Sequence, residues 1–446
     1  MSRPAVRFGT DGVRGVANRD LTPEIALAIG RAAVGLAPGR PVLIGCDTRR
    51  SGAMLAAAVA AGVCAEGADA VQLGVVPTPA VALASKDADA VGVMISASHN
   101  PFADNGIKLF APGGRKLADV DQAAVESAIA AALESPHAPG PTGGDVGLVR
   151  ADDGALDRYA DAVVAALDGR DLRGLHLVVD TANGSNHEVA PRVLRGLGAT
   201  VDVLADDPDG TNINESCGST HPEQLQSAVV AAGADAGIAF DGDADRVLAV
   251  SADGELVDGD QILALCAVDL RDRGRLHADT VVVTVMSNLG FRHAMRDAGI
   301  DVVETAVGDR YVLEAMADGG FSLGGEQSGH VIFGDLATTG DGLLTAVMLL
   351  DLVRRSGQTL ESLTAASMAR LPQVLENVRL TSPMPDVVDR VAAEIAEAAD
   401  LLGERGRVLL RPSGTEPVVR VMVEAPTADE AQTVADRLAE AVRRLG

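Results

Sequence analysis

The sequence predicts an α/β protein with three related mixed-sheet α/β domains and a smaller C-terminal α+β domain. Three observations lead to this prediction. A chain of 446 residues is too long for one core, so about three domains are expected. A β-branched run, a polar turn, an Ala/Leu-rich stretch and a second apolar run occur together three times, as in α/β units. After Pro372 the order changes to strand, helix, strand, strand, helix.

The predicted elements follow this pattern in chain order. The α/β copies have first strands at 42–46, 177–179 and 281–285, and second strands at 71–76, 201–204 and 302–303. The C-terminal part has predicted strands at 374–380, 407–410 and 418–424, and helices at 387–402 and 428–445. A Pro/Gly-rich linker at 134–144 and changes of pattern near 250–256 and Pro372 mark the boundaries. The predicted domains are therefore 1–145, 146–252, 253–370 and 371–446.

The composition excludes several classes of partner. The chain has 63 Asp and Glu against 37 Lys and Arg, a formal net charge of −26. Nucleic acid and anionic membranes repel such a surface, so neither is an expected partner. A phosphate ester would have to be bound by local cations, and only three of the cations are lysines. We therefore expect a lysine inside a motif to have a function rather than to be there by chance.

Cysteine usage and hydropathy indicate a cytoplasmic protein. The four cysteines are far apart and form no C-x-x-C pair, which argues against a disulfide framework or a zinc site. The N-terminal region has no apolar segment typical of a secretory signal. The longest apolar run, 53–65, is shorter than the roughly 20 residues that span a bilayer.

An acidic segment at 240–246, Phe-Asp-Gly-Asp-Ala-Asp-Arg, follows an apolar run. Asp241, Asp243 and Asp245 alternate, so they point to one face if the chain stays extended. Hard oxygen ligands without His or Cys suit Mg²⁺. An EF-hand is excluded because its sixth and twelfth positions would be Arg246 and Ala252 instead of Gly and Glu. A solvated acidic turn remains the structural alternative.

A polar loop rich in Ser, His, Asn and Pro follows the apolar run at 93–95. Ser98 sits where a strand end can present a hydroxyl, and Lys108 ends the segment. Ser98 beside His99 could suggest a hydrolase pair, but neighbouring residues rarely face each other and no G-x-S-x-G elbow is present. A serine combined with an acidic metal loop is better suited to phosphoryl transfer.

Two further loops carry groups suited to binding sugars and phosphates. The segment 323–330 is flanked by glycines and contains Glu326, Ser328 and His330, which can donate to and accept from sugar hydroxyls. A lone His is more often structural, so the segment is informative only in combination. The segment 411–417, Arg-Pro-Ser-Gly-Thr-Glu-Pro, resembles an anion-binding turn.

Together these segments resemble the α-D-phosphohexomutase superfamily. Its serine, metal, sugar and phosphate loops correspond in chain order to 96–101, 241–246, 325–330 and 411–417. Segments at 8–15, 212–214, 217–220 and 307–312 are similar to the branch that isomerises glucosamine phosphates. Gln327 favours that branch, since the branch acting on mannose and glucose phosphates usually has Met there. Ala244 is a departure, because much of the superfamily has Gly.

The resemblance implies three α/β domains and a smaller C-terminal domain around a central cleft. It implies that Ser98 is a phosphoserine whose phosphate joins the three aspartates around Mg²⁺. It also implies that Arg14, Lys108 and His330 steer protons and charge at the transfer site. The residues expected to contact substrate are Arg246, Glu326, Ser328, Arg411, Ser413, Gly414, Thr415 and Arg420.

The implied reaction converts glucosamine 6-phosphate to glucosamine 1-phosphate for cell-wall amino sugars. The phosphoserine gives its phosphate to O1, the resulting 1,6-bisphosphate turns round, and its other phosphate returns to Ser98. The bisphosphate is thus intermediate and primer. The resemblance is compatible with a homodimer, whereas the sequence itself does not indicate the oligomeric state.

Three alternative functions remain open from the sequence. Phosphoglucomutase/phosphomannomutase activity uses the same fold, and a metal-dependent phosphatase could use the same acidic loop. A catalytically silent phosphosugar-binding protein is disfavoured, because a binding protein need not keep Ser98, Lys108 and all three aspartates.

Overall fold

A computed structural model describes residues 12–135, 139–412 and 417–445. The chain forms two compact units. One comprises Met1–Val285 and Ile300–Thr364, and the other comprises Met286–Gly299 and Ala365–Gly446. No helix in the described part of the chain is long and apolar enough to cross a membrane.

The first α/β region has a mixed sheet with the strand order β1-β5-β4-β2-β3-β7, and β6 pairs with β5. Its elements are β1 (Val13–Val16), α1 (Pro23–Val34), β2 (Val42–Cys46), α2 (Gly52–Ala65), β3 (Ala70–Val75), α3 (Thr78–Ala88), β4 (Val91–Ile95), β5 (Asp104–Ala111), β6 (Arg115–Lys116), α4 (Asp119–Glu134) and β7 (Val149–Ala151). Strand β5 runs antiparallel to both β1 and β4. The serine loop therefore connects β4 to the strand that carries Lys108.

The second α/β region has a mixed sheet with the order β12-β11-β10-β8-β9. Its elements are α5 (Ala155–Ala165), β8 (His176–Asp180), α6 (Val189–Gly196), β9 (Thr200–Leu204), α7 (Glu223–Ala232), β10 (Ala236–Phe240), β11 (Val247–Ser251) and β12 (Leu256–Val257). Strands β10 and β11 are fully buried antiparallel neighbours. The acidic segment is the short connection between them.

The third α/β region has the sheet order β14-β13-β15-β16. Its elements are α8 (Gly259–Asp272), β13 (Thr280–Thr284), α9 (Leu289–Asp297), β14 (Asp301–Thr305), α10 (Asp309–Gly319), β15 (Leu323–Gly325), β16 (Val331–Phe333), α11 (Gly342–Ser356) and α12 (Leu360–Ser367). The sugar loop connects β15 to β16. Helix α9 belongs to the second compact unit.

The C-terminal module is an antiparallel sheet with the order β17-β19-β18. Its elements are β17 (Gln373–Arg379), α13 (Val387–Arg390), α14 (Ala392–Leu402), β18 (Arg407–Pro412), β19 (Val418–Glu424) and α15 (Ala428–Arg443). The single helix predicted over 387–402 is interrupted, since Val391 leaves helical geometry at φ −110° and ψ 21°. Three mixed α/β sheets and this module confirm the predicted fold class.

Small residues let helices α1 and α2 pack unusually closely. A Cβ atom on Gly30 would lie 2.2 Å from the Val59 carbonyl oxygen, and one on Gly62 would lie 2.1 Å from the Leu27 carbonyl oxygen. Neither backbone oxygen can move without shifting its helix. The chain has few aromatic side chains, so this region relies on close backbone packing and on Ala, Val and Leu.

We predict that Gly62→Ala lowers the free energy of unfolding by about 1–3 kcal/mol, because the added methyl overpacks the α1–α2 contact. The measurement is the midpoint of urea denaturation followed by circular dichroism. Gly196→Ala is the matched control, because a Cβ there meets no atom within 4 Å. That change should be neutral or should stabilise by about 0.4–1 kcal/mol. Equal midpoints for both variants would contradict the prediction.

Candidate active site

Ser98 lies on the loop that follows the buried strand β4, and its side chain is itself buried. Its Oγ donates a 2.5 Å hydrogen bond to Asp241 Oδ2 at the end of β10. The backbone of Ser98 is left-handed, with φ +52°. This geometry joins the serine loop and the acidic segment of the two neighbouring α/β regions into one site.

His99 faces Ser98, which corrects our expectation that these neighbours would point apart. Ser98 Oγ and His99 Nδ1 are 3.3 Å apart. The expectation holds for extended chain, where successive side chains alternate, but Ser98 is left-handed. Burial, followed by the charges of Arg246 and Arg14, lowers the pKa of His99 to about 4. A neutral imidazole therefore lies beside the serine at physiological pH.

The three aspartates of the acidic segment converge. Asp241, Asp243 and Asp245 are all buried, and one oxygen from each lies within 4.8 Å of the others. Between them Ala244 has φ +60°, a conformation that Gly adopts more readily. Ala244, which stands where much of the superfamily has Gly, therefore keeps the backbone conformation that glycine favours. Burial, followed by the charges of Asp245 and Asp243, raises the pKa of Asp241 well above its usual range.

Lys108 and Thr78 contact this cluster. Lys108 is buried on β5, with its Nζ 2.7 Å from Asp243 Oδ2 and 3.3 Å from Asp245 Oδ2. Thr78, the first residue of α3, donates from Oγ1 to Asp243 Oδ2 at 2.5 Å and from its backbone N to the Asp243 carbonyl at 2.9 Å. Both residues therefore orient Asp243.

The donor set fits a divalent cation. Three buried carboxylates repel one another at this distance, and the charges of Lys108 and of Arg246, whose Nε lies 3.8 Å from Asp245 Oδ1, offset them only in part. Asp245 Oδ1 is buried and accepts no hydrogen bond from the described residues. Hard carboxylate oxygens at a strand end suit Mg²⁺ better than softer metals.

Two arginines border the cluster. Arg246 donates from its backbone N to Asp241 Oδ1 at 3.2 Å, and its Nη1 lies 3.4 Å from His99 Nδ1. Arg14 lies on β1, where it pairs in register with Gly106 of β5, and its charge contributes to the lowered pKa of His99. These side chains supply the local positive charge that the acidic surface lacks.

The sugar loop is hydrogen-bonded to the strand that follows the acidic segment. Val247 N donates to the Gly329 carbonyl at 3.0 Å. Glu326 Oε1 accepts from Gly308 N at 3.2 Å. Ser328 Oγ has no hydrogen-bond partner within the described residues, although it is a buried atom. The loop thus offers polar groups beside the acidic segment.

His330 is buried in the same loop. Its Nε2 lies 3.4 Å from Asp309 Oδ2, and the carboxylate of Asp309 also pairs with Lys116. No hydrogen bond to His330 Nδ1 comes from the described part of the chain. Asp309 and Lys116 were not predicted as site residues. The one signal in the sequence was that lysines are rare in this chain, which makes each of them a candidate.

The C-terminal module contains its own cationic cavity. Arg411 on β18 and Arg420 on β19 are direct cross-strand partners, with Asn377 of β17 on the other side of Arg420. They line a cavity of about 270 Å³. Burial, followed by the charge of Arg420, lowers the pKa of Arg411. Facing like charges are unfavourable until an anion joins them.

Three residues predicted to bind phosphate, namely Ser413, Gly414 and Thr415, lie outside the described residues.

A buried network holds the serine loop, and the sequence did not reveal it. Ser98 N donates to Ser96 Oγ at 2.9 Å, and Ser96 Oγ donates to Asp47 Oδ2 at 2.5 Å. Arg49 forms a buried ion pair with Asp47 at 2.9 Å. Asn214, from the second α/β region, donates to the Ser98 carbonyl at 2.9 Å.

Sequence comparison agrees with this architecture. The profiles of phosphoglucomutase/phosphomannomutase alpha/beta/alpha domains I, II and III match residues 5–135, 157–254 and 258–371, and that of the C-terminal domain matches 375–441. A phosphoglucosamine mutase of Frankia alni is 58% identical over 450 residues, covering 98% of both chains. One from Thermobifida fusca is 54% identical over 445 residues, also covering 98% of both.

Solved structures have the same fold. A phosphoglucomutase/phosphomannomutase family protein from Burkholderia thailandensis has a TM-score of 0.82 at 26% identity and covers 99% of this chain and 97% of its own. N-acetylphosphoglucosamine mutase from Aspergillus fumigatus, in complex with GlcNAc-6P and magnesium, has a TM-score of 0.72 at 20% identity. That alignment covers 100% of this chain and 97% of the fungal one.

Proposed function

Because the chain belongs to the phosphoglucosamine mutase family of the phosphoglucomutase/phosphomannomutase superfamily, we propose that it interconverts glucosamine 6-phosphate and glucosamine 1-phosphate. The observation that carries this proposal is the Ser98 hydroxyl, held 2.5 Å from the buried carboxylate of Asp241 within a three-aspartate cluster. A hydroxyl in this position is suited to carry a phosphate, because a cation held by the three aspartates can balance the charge of that phosphate.

In the proposed first half of the reaction, phosphorylated Ser98 is the donor. The C1 hydroxyl oxygen of glucosamine 6-phosphate attacks phosphorus, the P–Oγ bond breaks, and a proton passes from the C1 hydroxyl to Ser98 Oγ. In the second half Ser98 Oγ attacks the 6-phosphate of the bisphosphate, the P–O6 bond breaks and a proton passes from Ser98 Oγ to O6, which gives glucosamine 1-phosphate and restores the phosphoserine. Asp241 Oδ2 accepts the Ser98 O–H and so orients this oxygen.

Charge neutralisation is the main task of the remaining groups. Lys108 and Arg14 are the proposed cations at the transfer site. His330, buried beside Asp309, is proposed with them as a group that steers protons and charge during transfer. Arg246, Glu326 and Ser328 are the proposed contacts to the substrate.

We further propose that the cation is Mg²⁺, held by Asp241, Asp243, Asp245 and the phosphate on Ser98. When bound, it would neutralise phosphate oxygens during transfer. The fungal N-acetylphosphoglucosamine mutase was solved in complex with magnesium, and the three carboxylates of this chain fit that ion.

We propose that Arg411 and Arg420 bind the phosphate that is not reacting. Ser413, Gly414 and Thr415 are proposed to bind it with them. The cross-strand arginines and their cavity support this role. The homodimer, the cytoplasmic location and the domain boundaries stay predictions.

We predict that Ser98→Ala loses nearly all mutase activity, because no hydroxyl remains to carry phosphate. Peptide mass mapping of the active protein should place phosphate on Ser98. Turnover is measured on glucosamine, glucose and mannose 6-phosphates, and the amino sugar should be preferred. Ser127→Ala, an exposed serine of α4, should retain activity. Phosphate on Ser96 in an active Ser98→Ala protein would overturn the assignment, and a preference for glucose or mannose phosphate would favour phosphoglucomutase/phosphomannomutase activity.

We predict that Asp243→Asn weakens Mg²⁺ binding at least tenfold, because one of three ligand charges is removed. Isothermal titration calorimetry measures the affinity independently of turnover. Asp253→Asn, an exposed carboxylate between β11 and β12, should bind Mg²⁺ like the unmodified protein. Chelation with EDTA should abolish activity and Mg²⁺ should restore it. Full activity in EDTA would refute the metal role.

We predict that Arg420→Ala raises KM for the sugar phosphate about 10- to 100-fold, since a charge-assisted contact contributes roughly 1.5–3 kcal/mol. Free bisphosphate should accumulate because it escapes before it turns round. Phosphorylation of Ser98 should be unchanged. Arg379→Ala, an exposed arginine on β17 of the same sheet, is the control. An unchanged KM without free bisphosphate would indicate that Arg420 only pairs with surface carboxylates, where the median contribution is ~0–1 kcal/mol.

A further inference from the structure

We propose that Arg49 is a positioning residue for phosphoryl transfer, which clamps the backbone of the serine loop so that Ser98 Oγ stays aligned with Asp241. This inference rests on the proposed phosphoserine at Ser98. Arg49 does not contact the hydroxyl. Arg49 acts through the main-chain carbonyl groups of the loop that carries the Ser98 hydroxyl.

The guanidinium of Arg49 has all five of its N–H donors engaged. A guanidinium carries five donors in a fixed planar fork. The acceptors are Asp47 Oδ2 for Nε at 2.9 Å, the carbonyls of Pro101 and Asp104 for Nη1 at 2.5 and 3.1 Å, and the carbonyls of Ser98 and Asn100 for Nη2 at 2.8 and 2.7 Å. Four carbonyl groups across the loop are therefore fixed by one rigid group.

Asp47 fixes this fork in turn. Its carboxylate accepts from Arg49 Nε and from the Arg49 backbone N, both at 2.9 Å. It also accepts from Ser96 Oγ, which receives the backbone N–H of Ser98. Both side chains of the ion pair are fully buried. The network therefore reaches Ser98 from both its N–H and its carbonyl group.

Ser98 needs such a restraint because its backbone is left-handed, with φ +52°. For a residue with a Cβ this conformation is less favourable than the right-handed one, because the Cβ comes close to the following carbonyl oxygen. If the clamp is loosened, the loop can relax and move the oxygen away from Asp241. A displacement of about 1 Å from the reacting geometry can cost roughly 100-fold in rate.

A lysine cannot replace this arginine. Its ammonium has three donors and no planar fork, so at least two of the five acceptors would lose their partner. Asn214 provides an independent probe, because its Nδ2 donates to the same carbonyls of Ser98 and Asn100, at 2.9 and 3.1 Å. Asn214 itself has φ +59°, so Gly at this position removes the donor while keeping the backbone conformation.

The test compares Arg49→Lys and Asn214→Gly with Arg50→Lys. Arg50 is the exposed residue that follows Arg49 in the connection between β2 and α2, and its change to lysine should leave activity unaltered. We expect kcat to fall about 10- to 100-fold in Arg49→Lys and less in Asn214→Gly, with KM and the Mg²⁺ affinity within about twofold of the unmodified protein.

A second readout separates positioning from a loss of folded protein. Phosphoenzyme carrying ³²P on Ser98 is mixed with glucosamine 6-phosphate, and transfer to the sugar is measured against release of inorganic phosphate. In that release water attacks phosphorus, the P–Oγ bond breaks and Ser98 regains its proton. The ratio does not depend on the fraction of active molecules. We expect it to fall in both variants, because alignment with the bound sugar is more demanding than attack by water.

An unchanged ratio in both variants would overturn the inference, as would a kcat near that of the unmodified protein. If Arg49→Lys does not fold, the outcome for Asn214→Gly decides. Failure of the unmodified protein to carry phosphate on Ser98 would instead refute the proposed function.

Discussion

The arrangement of the site depends on the repulsion between three buried carboxylates. Asp241, Asp243 and Asp245 are held together by a short connection between two buried strands, so they cannot move apart without breaking the second sheet. Their neighbours all offset or orient this charge. Lys108 approaches from β5, Thr78 directs its hydroxyl and backbone N–H at Asp243, and Ser98 donates its hydroxyl to Asp241.

This constraint explains why residues from two α/β regions meet here. A phosphate added to Ser98 would increase the negative charge, so a phosphoserine is compatible with this position only with a nearby cation. The proposed Mg²⁺ and the surrounding basic side chains meet that requirement together. The overall surface is strongly acidic, with a net charge of −26, so this positive charge must be local.

The sequence predicted the groups that carry charge better than the groups that hold them. Asp241, Asp243 and Asp245 were identifiable because three carboxylates alternate directly after an apolar run, and Ser98 because it follows another. Arg49 and Thr78 gave no such signal. Their roles depend on contacts with residues about 50 and 165 positions away, and a single sequence carries no record of such distances. The interruption at Val391 was missed for a different reason, since composition alone cannot show where one helix stops and the next begins.

The facing arginines of the C-terminal module have a consequence for molecular recognition. Among the described residues, the cavity lining other than these arginines and Asn377 is apolar, including Leu375, Leu409 and Met422. These described lining residues favour recognition of the charge of a phosphate dianion and offer few groups that could distinguish one hydroxyl pattern of the sugar from another. In the proposed role this indifference is useful. A bisphosphate that turns round presents two differently substituted ends of the sugar, and a site that binds mainly the phosphate charge can accept either end.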